Sequence, residues 1–394
     1  MNILVVTELY RISENMGYGS SSAEATPIVN DFVKYWAMSG NNVVVAIQEF
    51  VPLNEPQGIY RFVKKGTRIH NHLIDGANVL ISLRSFIPLI KKKVPSISDY
   101  SEILNKKLKE LHFNPDIIVS HIPTWEVWQI VPLIDANCPR VGVLHGTDVE
   151  LMASSAVFKK QIEDSYDIFF SRSIKIREKA QMAELKKLNK TIISSGVMQP
   201  CNNINDRNYN LGEKIEILYA GDLIERKNVD TIINAVSQLK NKWHLTIVGD
   251  GVCRKDLEEL SRSLGCTDRI SFSGKKTHDE VYDYMAKSDI FVMVSRNETL
   301  GLVYLEAMSS GCIVIGSSGE GIDGIIIDGR NGFLVSPGDI KELSDCFDKI
   351  INMSKSELTQ ISYNALKTGQ EHSYKNMADI YLNDLRNLIK QYTF

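Results

Sequence analysis

Several patterns with well-defined functions are absent from this sequence. It contains no run of about 18 or more apolar residues, so no segment is expected to cross a bilayer. No two aspartates stand two positions apart, so the D-x-D arrangement that holds a divalent cation is missing. The six cysteines form no C-x-x-C pair and no regular framework, which indicates reduced thiols in an intracellular protein.

The charge balance and the amino-terminal residues narrow the class of protein further. Lys and Arg number 45 against 48 Asp and Glu, for a net charge of −3, which argues against general nucleic-acid binding. The chain opens on an apolar strand pattern at residues 2–7 and lacks the charged and apolar blocks of a signal peptide. We therefore expect a cytoplasmic protein and leave open a peripheral contact with the inner face of the plasma membrane.

The 394 residues are enough for two or three domains at about 150 residues each. Short β-rich apolar runs alternate with helix-period segments from end to end, which predicts parallel sheets covered by helices. The pattern breaks at residues 201–210, where six of ten residues are Asn or Asp, and this composition predicts a linker. We expect an α/β protein with two Rossmann-like domains, at residues 1–198 and 214–371, whose parallel sheets face a central cleft, with a linker at 199–213.

The expected elements can be placed by residue number. The predicted strands cover residues 2–7, 42–47, 116–121, 140–145, 167–171, 191–195, 215–220, 244–248, 269–273, 289–294 and 312–316. The predicted helices include residues 101–111, 156–165, 173–187, 228–240, 254–264, 278–286, 301–310 and 373–391.

The most informative stretch for chemistry follows the strand at 289–294 and leads into a helix. Free backbone amides at that helix start, around Leu300–Val303, favour an anion. Glu298 precedes the helix and Glu306 lies about two turns inside it, which separates the two carboxylates by roughly 12 Å if eight residues rise 1.5 Å each. This spacing suits an extended ligand with an anionic middle, such as a nucleotide diphospho-sugar; the alternative is a capped, solvated helix start.

A second element lies between the strand at 215–220 and the helix that follows it. Arg226 and Lys227 come after the carboxyl end of the strand, so they are expected to project into the cleft. A departing nucleoside diphosphate needs compensating positive charge from a metal or from side chains, and this basic pair can supply it. A solvated pair that balances Glu225 is the alternative.

Glycines and one histidine complete the candidate set. Gly17 and Gly19 follow the first strand without the third glycine of a dinucleotide fingerprint, and Gly249 follows the strand at 244–248. At strand ends a glycine lets the backbone approach a ligand closely. His145 follows the strand at 140–144 and could donate to a sugar hydroxyl or to developing charge, whereas a structural histidine is the alternative.

Taken together, these residues resemble the retaining glycosyltransferases of family 4, which have the GT-B fold. The ordered set covers nearly the whole chain and is more specific than any of its members. The segments that carry the resemblance are Gly17–Gly19, Pro115–Ile118, His145–Gly146, Gly196–Val197, Gly221–Lys227, Gly249–Gly251, Phe272–Gly274, Glu298–Met308 and Gly329–Val335. Residues 319–323 depart from the family's usual Gly-Gly-x-x-Glu ending.

The resemblance implies a role for each matching position. Glu298 would contact the hydroxyls of the donor hexose, Glu306 the ribose, Arg226 and Lys227 the diphosphate, and His145 the transferred sugar. It also implies that the final helix, at about 372–394, crosses back onto the first domain. The remaining donor-binding positions that it implies are Gly17, Gly19, Gly221, Gly249, Gly274, Lys275, Gly301, Leu302 and Val303.

The chemistry that this family implies is metal-independent transfer of a hexose with retention of anomeric configuration. No cofactor is required, because the nucleotide-sugar is a co-substrate, and a UDP-linked donor is favoured over a GDP-linked one. The acceptor would be a saccharide or a lipid-linked saccharide, in the synthesis of a cell-surface polysaccharide. Residues 78–93 place apolar bulk beside four cations and could touch an anionic membrane; a core element that ends in solvated lysines is the alternative.

Two other functions fit the same architecture. A nucleotide-sugar epimerase would consume the donor with no acceptor present. A catalytically inactive nucleotide-sugar-binding subunit would bind the donor without turnover, although the presence of Glu298 with Arg226 and Lys227 argues against it. A dinucleotide dehydrogenase is disfavoured by the missing fingerprint.

Overall fold

A computed structural model of the protein describes residues 1–7, 28–50, 69–84, 97–124, 127–197, 209, 211 and 214–392. The chain divides into two compact units. The first consists of Met1–Arg172, Ile176–Ile193 and Tyr374–Phe394, and the second of Ser173–Lys175 and Ser194–Ser373. The chain therefore enters the second unit briefly at Ser173–Lys175 and again at Ser194, and it returns to the first unit with its last helix.

The first unit is built on a mostly parallel sheet. Its strands in the described residues are β1 (Asn2–Val6), β2 (Asn42–Phe50), β3 (His70–Ile74), β4 (Ala77–Arg84), β5 (Ile117–His121), β6 (Arg140–Leu144), β7 (Ile168–Ser171) and β8 (Leu188–Ile192). The strand order is β3-β4-β2-β1-β5-β6-β7-β8. Only β3 runs antiparallel to its neighbour β4 among these pairs. Nearly all residues of β1, β5 and β6 are buried, as expected for the central strands of a sheet covered on both faces.

Helices pack against this sheet, and the last helix of the chain is one of them. The helices are α1 (Ile28–Met38), α2 (Ile97–Glu110), α3 (Val127–Ile130), α4 (Gly146–Ser154), α5 (Ala156–Ser165), α6 (Ile174–Met182) and α13 (Tyr374–Tyr392). The first two residues of α6 are assigned to the second unit. The indole Nε1 of Trp36 on α1 donates to the carbonyl of Ala378 on α13 at 3.2 Å. The rings of Trp36 and Tyr381 meet edge to face at 5.0 Å between centroids.

The second unit contains a fully parallel sheet. Its strands are β9 (Ile215–Ala220), β10 (Trp243–Val248), β11 (Ile270–Gly274), β12 (Ile290–Val292), β13 (Ile313–Ser317) and β14 (Phe333–Val335), in the order β11-β10-β9-β12-β13-β14. The chain runs outward from β9 to β11 and then returns to β12 on the other side of β9. Ligands of open α/β sheets bind at the carboxyl ends of the strands where the order reverses, here between β9 and β12.

The helices of the second unit connect these strands. They are α7 (Val229–Ser237), α8 (Arg254–Ser263), α9 (His278–Lys287), α10 (Leu302–Ser309), α11 (Ile340–Ile351) and α12 (Lys355–Glu371). Short 3-10 turns at Glu225–Lys227 and Thr267–Arg269 precede α7 and β11. The α/β class and the alternation of strands and helices predicted from the sequence are confirmed.

The differences from the sequence prediction concern strands β3, β4, β8 and β14 and the end of helix α6. The sequence analysis did not predict β3, β4 or β14. It placed a helix at 173–187 and a strand at 191–195, whereas α6 ends at Met182 and β8 occupies Leu188–Ile192. β8 pairs only with β7 among the described strands and is half-buried, so it lacks the continuous apolar run of a central strand.

The fold shows where the first part of the segment at residues 78–93 lies. Its first part lies in β4, where the side chains of Val79, Leu80 and Ile81 are buried in the sheet and so are not available to a membrane surface. Residues 85–93, including the three lysines, lie outside the described residues. None of the described helices combines the length and the apolarity that crossing a membrane requires.

Five of the six cysteines lie in the described residues, and all five are free thiols. These are Cys138, Cys253, Cys266, Cys312 and Cys346. Burial raises the pKa of Cys138 to about 11 and that of Cys346 to about 12, so these thiols are held in their unreactive protonated form. Cys201 lies outside the described residues.

Gly249, directly after β10, is required by the packing of two strand ends. Its φ is +139°, and a Cβ built on it would lie 1.8 Å from the carbonyl oxygen of Gly221, which follows β9. The amide of Gly249 donates to the carbonyl of Gly274 at 2.9 Å. Only glycine fits where three strand ends approach so closely.

We predict that Gly249→Ala destabilises the protein more than Gly265→Ala does. Gly265 also has a positive φ, +64°, but a Cβ there meets nothing within 4 Å, so its replacement costs only about 1 kcal/mol of backbone strain. Gly249→Ala adds the overlap with Gly221. Thermal unfolding followed by circular dichroism should show a Tm several degrees lower for Gly249→Ala than for Gly265→Ala; equal Tm values would contradict the steric argument.

Candidate functional site

The carboxyl ends of β9 and β12 bring two distant segments of the chain together. Ile217 and Leu218 of β9 pair with Ile290 and Phe291 of β12, so residues 221–227 and 293–301 leave the sheet side by side. The side-chain amide of Asn228 donates to the carbonyl of Val294 at 2.7 Å, and the amide of Arg296 donates to the carbonyl of Arg226 at 2.7 Å. These bonds hold the two segments in register beyond the sheet.

Glu298 accepts hydrogen bonds from both predicted cations at a single oxygen. Lys227 Nζ lies 2.6 Å from Glu298 Oε2, and Arg226 Nη1 lies 3.1 Å from the same atom. The hydroxyl of Ser295 donates to that oxygen as well, at 3.3 Å. The structure therefore joins three of the four residues predicted to be catalytic into one cluster, which we call the Glu298 cluster.

The two cations of the Glu298 cluster differ in their access to solvent. The side chain of Lys227 is 10% exposed and that of Glu298 14%, whereas that of Arg226 is 42% exposed. Arg226 also borders a cavity of about 740 Å³ whose other walls come from α7, α8 and residues 296, 297 and 338. Arg226 can reach a ligand from its present position, while Lys227 is enclosed with its carboxylate partner.

The backbone of Glu298 is fixed by a segment that the sequence analysis treated as a departure from the family pattern. The carboxylate of Glu320 accepts from the amide of Glu298 at 2.8 Å, and the amide of Gly321 donates to the carbonyl of Glu298 at 3.0 Å. A Cβ on Gly321 would lie 2.0 Å from the carbonyl oxygen of Thr299. Glu320 is thus a support of the site that sequence reasoning missed, although its place between two glycines after β13 was a visible signal.

The start of α10 has the geometry predicted for it. Gly301 caps the helix with φ +76°, and its missing side chain leaves room for the ring of Tyr304, 2.6 Å from where a Cβ would be. The first amides of a helix have no acceptor within the helix, which leaves those of Leu302 and Val303 able to bind an anion. The helix begins at Leu302, so Glu306 lies little more than one turn inside it, not the two turns predicted.

Glu306 is paired with a residue that the sequence analysis did not single out. His278, the first residue of α9, places Nε2 2.8 Å from Glu306 Oε1. This hydrogen bond raises the pKa of His278 above its ordinary value. The only sequence signal was a histidine at a helix start, which is too common to point to a site.

Four of the remaining donor-side positions lie at the carboxyl ends of neighbouring strands. Gly221, Gly249 and Gly274 follow or end β9, β10 and β11, and they are linked by the amide of Gly221 to Val248 and that of Gly249 to Gly274. Lys275 is exposed directly after β11. Gly17 and Gly19, also predicted to bind the donor, lie outside the described residues.

His145 belongs to the first unit, where it precedes α4 at the end of β6. Its ring is buried, and its Nε2 lies 3.5 Å from Nδ1 of His121 at the end of β5. Burial, reinforced by the positive charge of Arg172, holds the pKa of both histidines well below the ordinary value. Both rings are therefore neutral at physiological pH, and His121, which the sequence analysis left out, is the neighbour that His145 faces.

Asp148 on the first turn of α4 fixes the backbone at His145. Its carboxylate accepts from the amide of His145 at 2.6 Å and from the amide of Thr124 at 3.1 Å. Burial raises the pKa of Asp148 to about 6 in spite of these bonds. Within the part of the chain that the structure describes, no three His, Cys, Asp or Glu side chains are grouped as metal ligands.

Part of the chain is similar to a family of known proteins. Residues 202–368 match the model of the family "Glycosyl transferases group 1". The lipopolysaccharide core biosynthesis glycosyltransferase LpsE of Rhizobium meliloti is 33% identical over 168 residues, which are 42% of this chain and 48% of LpsE. The chain thus spans about half the length of this curated relative.

Solved structures show the same fold over nearly the whole chain. The apo form of the lipopolysaccharide outer core galactosyltransferase WaaB has a TM-score of 0.68 at 18% identity, with 98% of this chain and 99% of that chain covered. HepE of Anabaena in complex with UDP has a TM-score of 0.68 at 15% identity and covers 98% and 100%.

The resemblance predicted from the sequence motifs is confirmed for the fold and for group 1, while the narrower assignment to family 4 stays a prediction. The matched region lies in the second unit and contains the Glu298 cluster, the start of α10 and Glu306. Residues 202–368 are thus similar to the glycosyltransferases of group 1, and the chain has the GT-B fold.

Proposed function

We propose that this protein is a retaining, metal-independent glycosyltransferase that moves a hexose from a nucleotide diphospho-sugar to a saccharide or lipid-linked saccharide. The observation that carries the proposal is the Glu298 cluster. Two cations and one carboxylate meet at the point in the sheet where the strand order reverses, beside the free amides of α10. This arrangement offers positive charge for a diphosphate and an acceptor for sugar hydroxyls within one site.

Each part of the donor has a group suited to it in the second unit. Arg226, Lys227 and the amides of Leu302 and Val303 would bind the diphosphate, and Glu298 the hydroxyls of the hexose. Glu306 would bind the ribose. The backbone at Gly221, Gly249 and Gly274, with Lys275, would border the remaining parts of the nucleotide. A UDP-linked donor is favoured, since HepE, a structural neighbour, was solved with UDP.

The transfer step requires no side-chain nucleophile. The bond between the anomeric carbon and the β-phosphate oxygen breaks, and a bond from the acceptor oxygen forms on the same face of the sugar. The acceptor hydroxyl gives its proton to the departing phosphate oxygen, so a nucleoside diphosphate leaves. Arg226 and Lys227 would stabilise the charge that grows on this oxygen, which is the largest contribution that a preorganised site can make.

The acceptor side is proposed from the relatives and from the first unit. LpsE and WaaB are named for steps in lipopolysaccharide core synthesis, which supports a role in cell-surface polysaccharide assembly. His145 would contact the transferred sugar as a neutral imidazole, since burial keeps its pKa low. A neutral ring can donate a hydrogen bond to a hydroxyl without adding a charge.

We predict that a nucleoside diphospho-sugar raises the Tm of the protein in the presence of EDTA. A ligand at about 100 times its Kd stabilises the folded state by about 2.7 kcal/mol, which corresponds to several degrees. Screening UDP-, GDP- and ADP-linked hexoses by differential scanning fluorimetry should give a shift with one nucleotide class. No shift with any donor, or a shift that disappears with EDTA, would contradict the proposal.

Turnover assays then separate this function from its two alternatives. An epimerase converts the bound donor into its epimer with no acceptor present, and an inactive subunit binds the donor without any product. A transferase releases nucleoside diphosphate and forms a glycoside only with an acceptor. NMR of that product should show the anomeric configuration of the donor.

We predict that Arg226→Gln, Lys227→Gln and Glu298→Gln each lower transfer by a factor of about 10² to 10³. Lys227→Gln and Glu298→Gln should also lower the Tm, because each breaks the ion pair between these two largely buried side chains. Arg226→Gln should leave the Tm nearly unchanged, since this side chain is half exposed. Steady-state rates and melting curves of the same preparations test both effects.

Arg269→Gln is the matched control for these variants. Arg269 precedes β11 at the amino end of the strand, where its guanidinium lies 4.4 Å from the centre of the Trp243 ring. It is distant in the sheet from the carboxyl ends that carry the Glu298 cluster. Full activity in an Arg226→Gln/Lys227→Gln double variant, or equal losses in Arg269→Gln, would refute the diphosphate role of the two cations.

A further inference from the structure

The contact between His278 and Glu306 joins the first residue of α9 to the middle of α10. The Nε2–Oε1 distance is 2.8 Å, and the side chains are 47% and 11% exposed, respectively. A carboxylate so poorly hydrated needs a hydrogen-bond partner. Among the residues that the structure describes, His278 supplies the one side-chain bond to this carboxylate.

The local sequence directs His278 toward Glu306. Thr277 caps α9 by accepting from the amide of Glu280, and Glu280 in turn binds the amide of Thr277 at 2.8 Å. The carboxylate of Glu280, on the same helix turn, is thus occupied by the cap. The ring of Tyr282, one turn further along α9, meets the His278 ring edge to face at 5.1 Å and restricts its rotation.

Only one of the two oxygens of Glu306 is used by this contact. Oε1 accepts from His278, and no described residue donates to Oε2. The flanking residues Leu305 and Ala307 are fully buried in the core of the second unit, so the position of the Glu306 backbone is fixed. With one oxygen held by His278, the carboxylate keeps one orientation, and Oε2 is available to a hydroxyl.

We propose that His278 is a positioning residue that orients Glu306 to bind the ribose hydroxyls of the nucleotide. The inference rests on the proposed function, because the ribose role of Glu306 belongs to it. His278 itself contacts the carboxylate and not the reacting atoms. Replacing His278 should therefore weaken the binding of the ribose hydroxyls and leave the binding of the base and the phosphates unchanged.

The charged groups around His278 determine how this effect varies with pH. Glu306 on α10 and Asp279 on α9 both raise its pKa, while partial burial lowers it, and the ring of Tyr282 faces the imidazole. The protonated ring makes the stronger, charge-assisted bond to Glu306. The orienting bond is therefore complete below the ordinary pKa of histidine and weakens as the pH rises through the raised pKa.

The test measures the affinity for a ribonucleoside diphosphate relative to that for its 2′,3′-dideoxy analogue. Isothermal titration calorimetry of the full chain with UDP, GDP and ADP identifies the base that binds, and the dideoxy analogue of that nucleotide is then titrated. The ratio is the Kd of the dideoxy analogue divided by the Kd of the ribonucleotide. It isolates the contribution of the ribose hydroxyls to binding, because the base and phosphates are the same in both ligands. Titration of the phosphate cancels from the ratio for the same reason.

Two variants distinguish positioning from a general loss of structure. His278→Phe removes the hydrogen bond and should lower the ratio about tenfold, since a bond to a charged group is lost, with the dideoxy affinity unchanged. His278→Gln keeps an N–H donor and should restore most of the ratio. The control is His244→Phe, because His244 bonds to Ser271 at 2.9 Å near the amino end of β10, away from the site; its ratio should equal that of the wild type.

The pH profile provides a readout that a purely structural role would not change. From about pH 6 to about pH 9 the wild-type ratio should fall as His278 loses its proton, while the ratio of His278→Gln should stay constant. If the wild type binds none of the three nucleotides, the proposed function fails and this inference with it. If it binds, and His278→Phe keeps the wild-type ratio or loses affinity for both ligands equally, only the positioning role of His278 is overturned.

Discussion

The interaction on which the site depends is the ion pair between Lys227 and Glu298. A lysine that is nearly buried must keep a carboxylate within hydrogen-bond distance, because desolvation of an unpaired ammonium costs several kcal/mol. The pair joins segments 71 positions apart, one after β9 and one after β12. This constraint fixes where the loop before α10 leaves the sheet, and hence where Gly301 and the helix amides lie. Arg226 contacts the same oxygen as a second cation, and its own side chain is partly open to solvent.

The sequence predicted this edge of the sheet because the signals there are strong and local. Apolar runs at 215–220 and 289–294 indicate central strands. Arg226, Lys227 and Glu298 follow the carboxyl ends of these strands, so a parallel sheet places all three at one edge. The convergence of both cations on one carboxylate oxygen was not predictable. Spacing along a helix says nothing about partners from another strand, so Glu298 was expected to act apart from the cations, at the far end of a ligand.

The features that sequence reasoning missed depend on long-range contacts or on weak local patterns. Glu320 and His278 are ordinary polar residues until the fold brings them to Glu298 and Glu306. The edge strand β8 is half-buried and so carries no continuous apolar run, which explains its displacement from the predicted position. His145 was predicted at the end of β6, but the burial that keeps it neutral follows from its packing against β5.

The pairing of the Glu298 cluster also bears on how the proposed donor would bind. In the structure the cations and Glu298 satisfy one another, so a diphosphate must compete with a carboxylate for Arg226 and Lys227. A diphosphate carries two negative charges, whereas the carboxylate of Glu298 carries one. When the diphosphate draws a cation away from Glu298, that carboxylate can accept hydrogen bonds from sugar hydroxyls instead. On this view binding of the diphosphate and binding of the hexose are coupled through a shared oxygen, Oε2. A nucleotide without the sugar would then release Glu298 without giving it a partner, at a cost that the complete donor avoids.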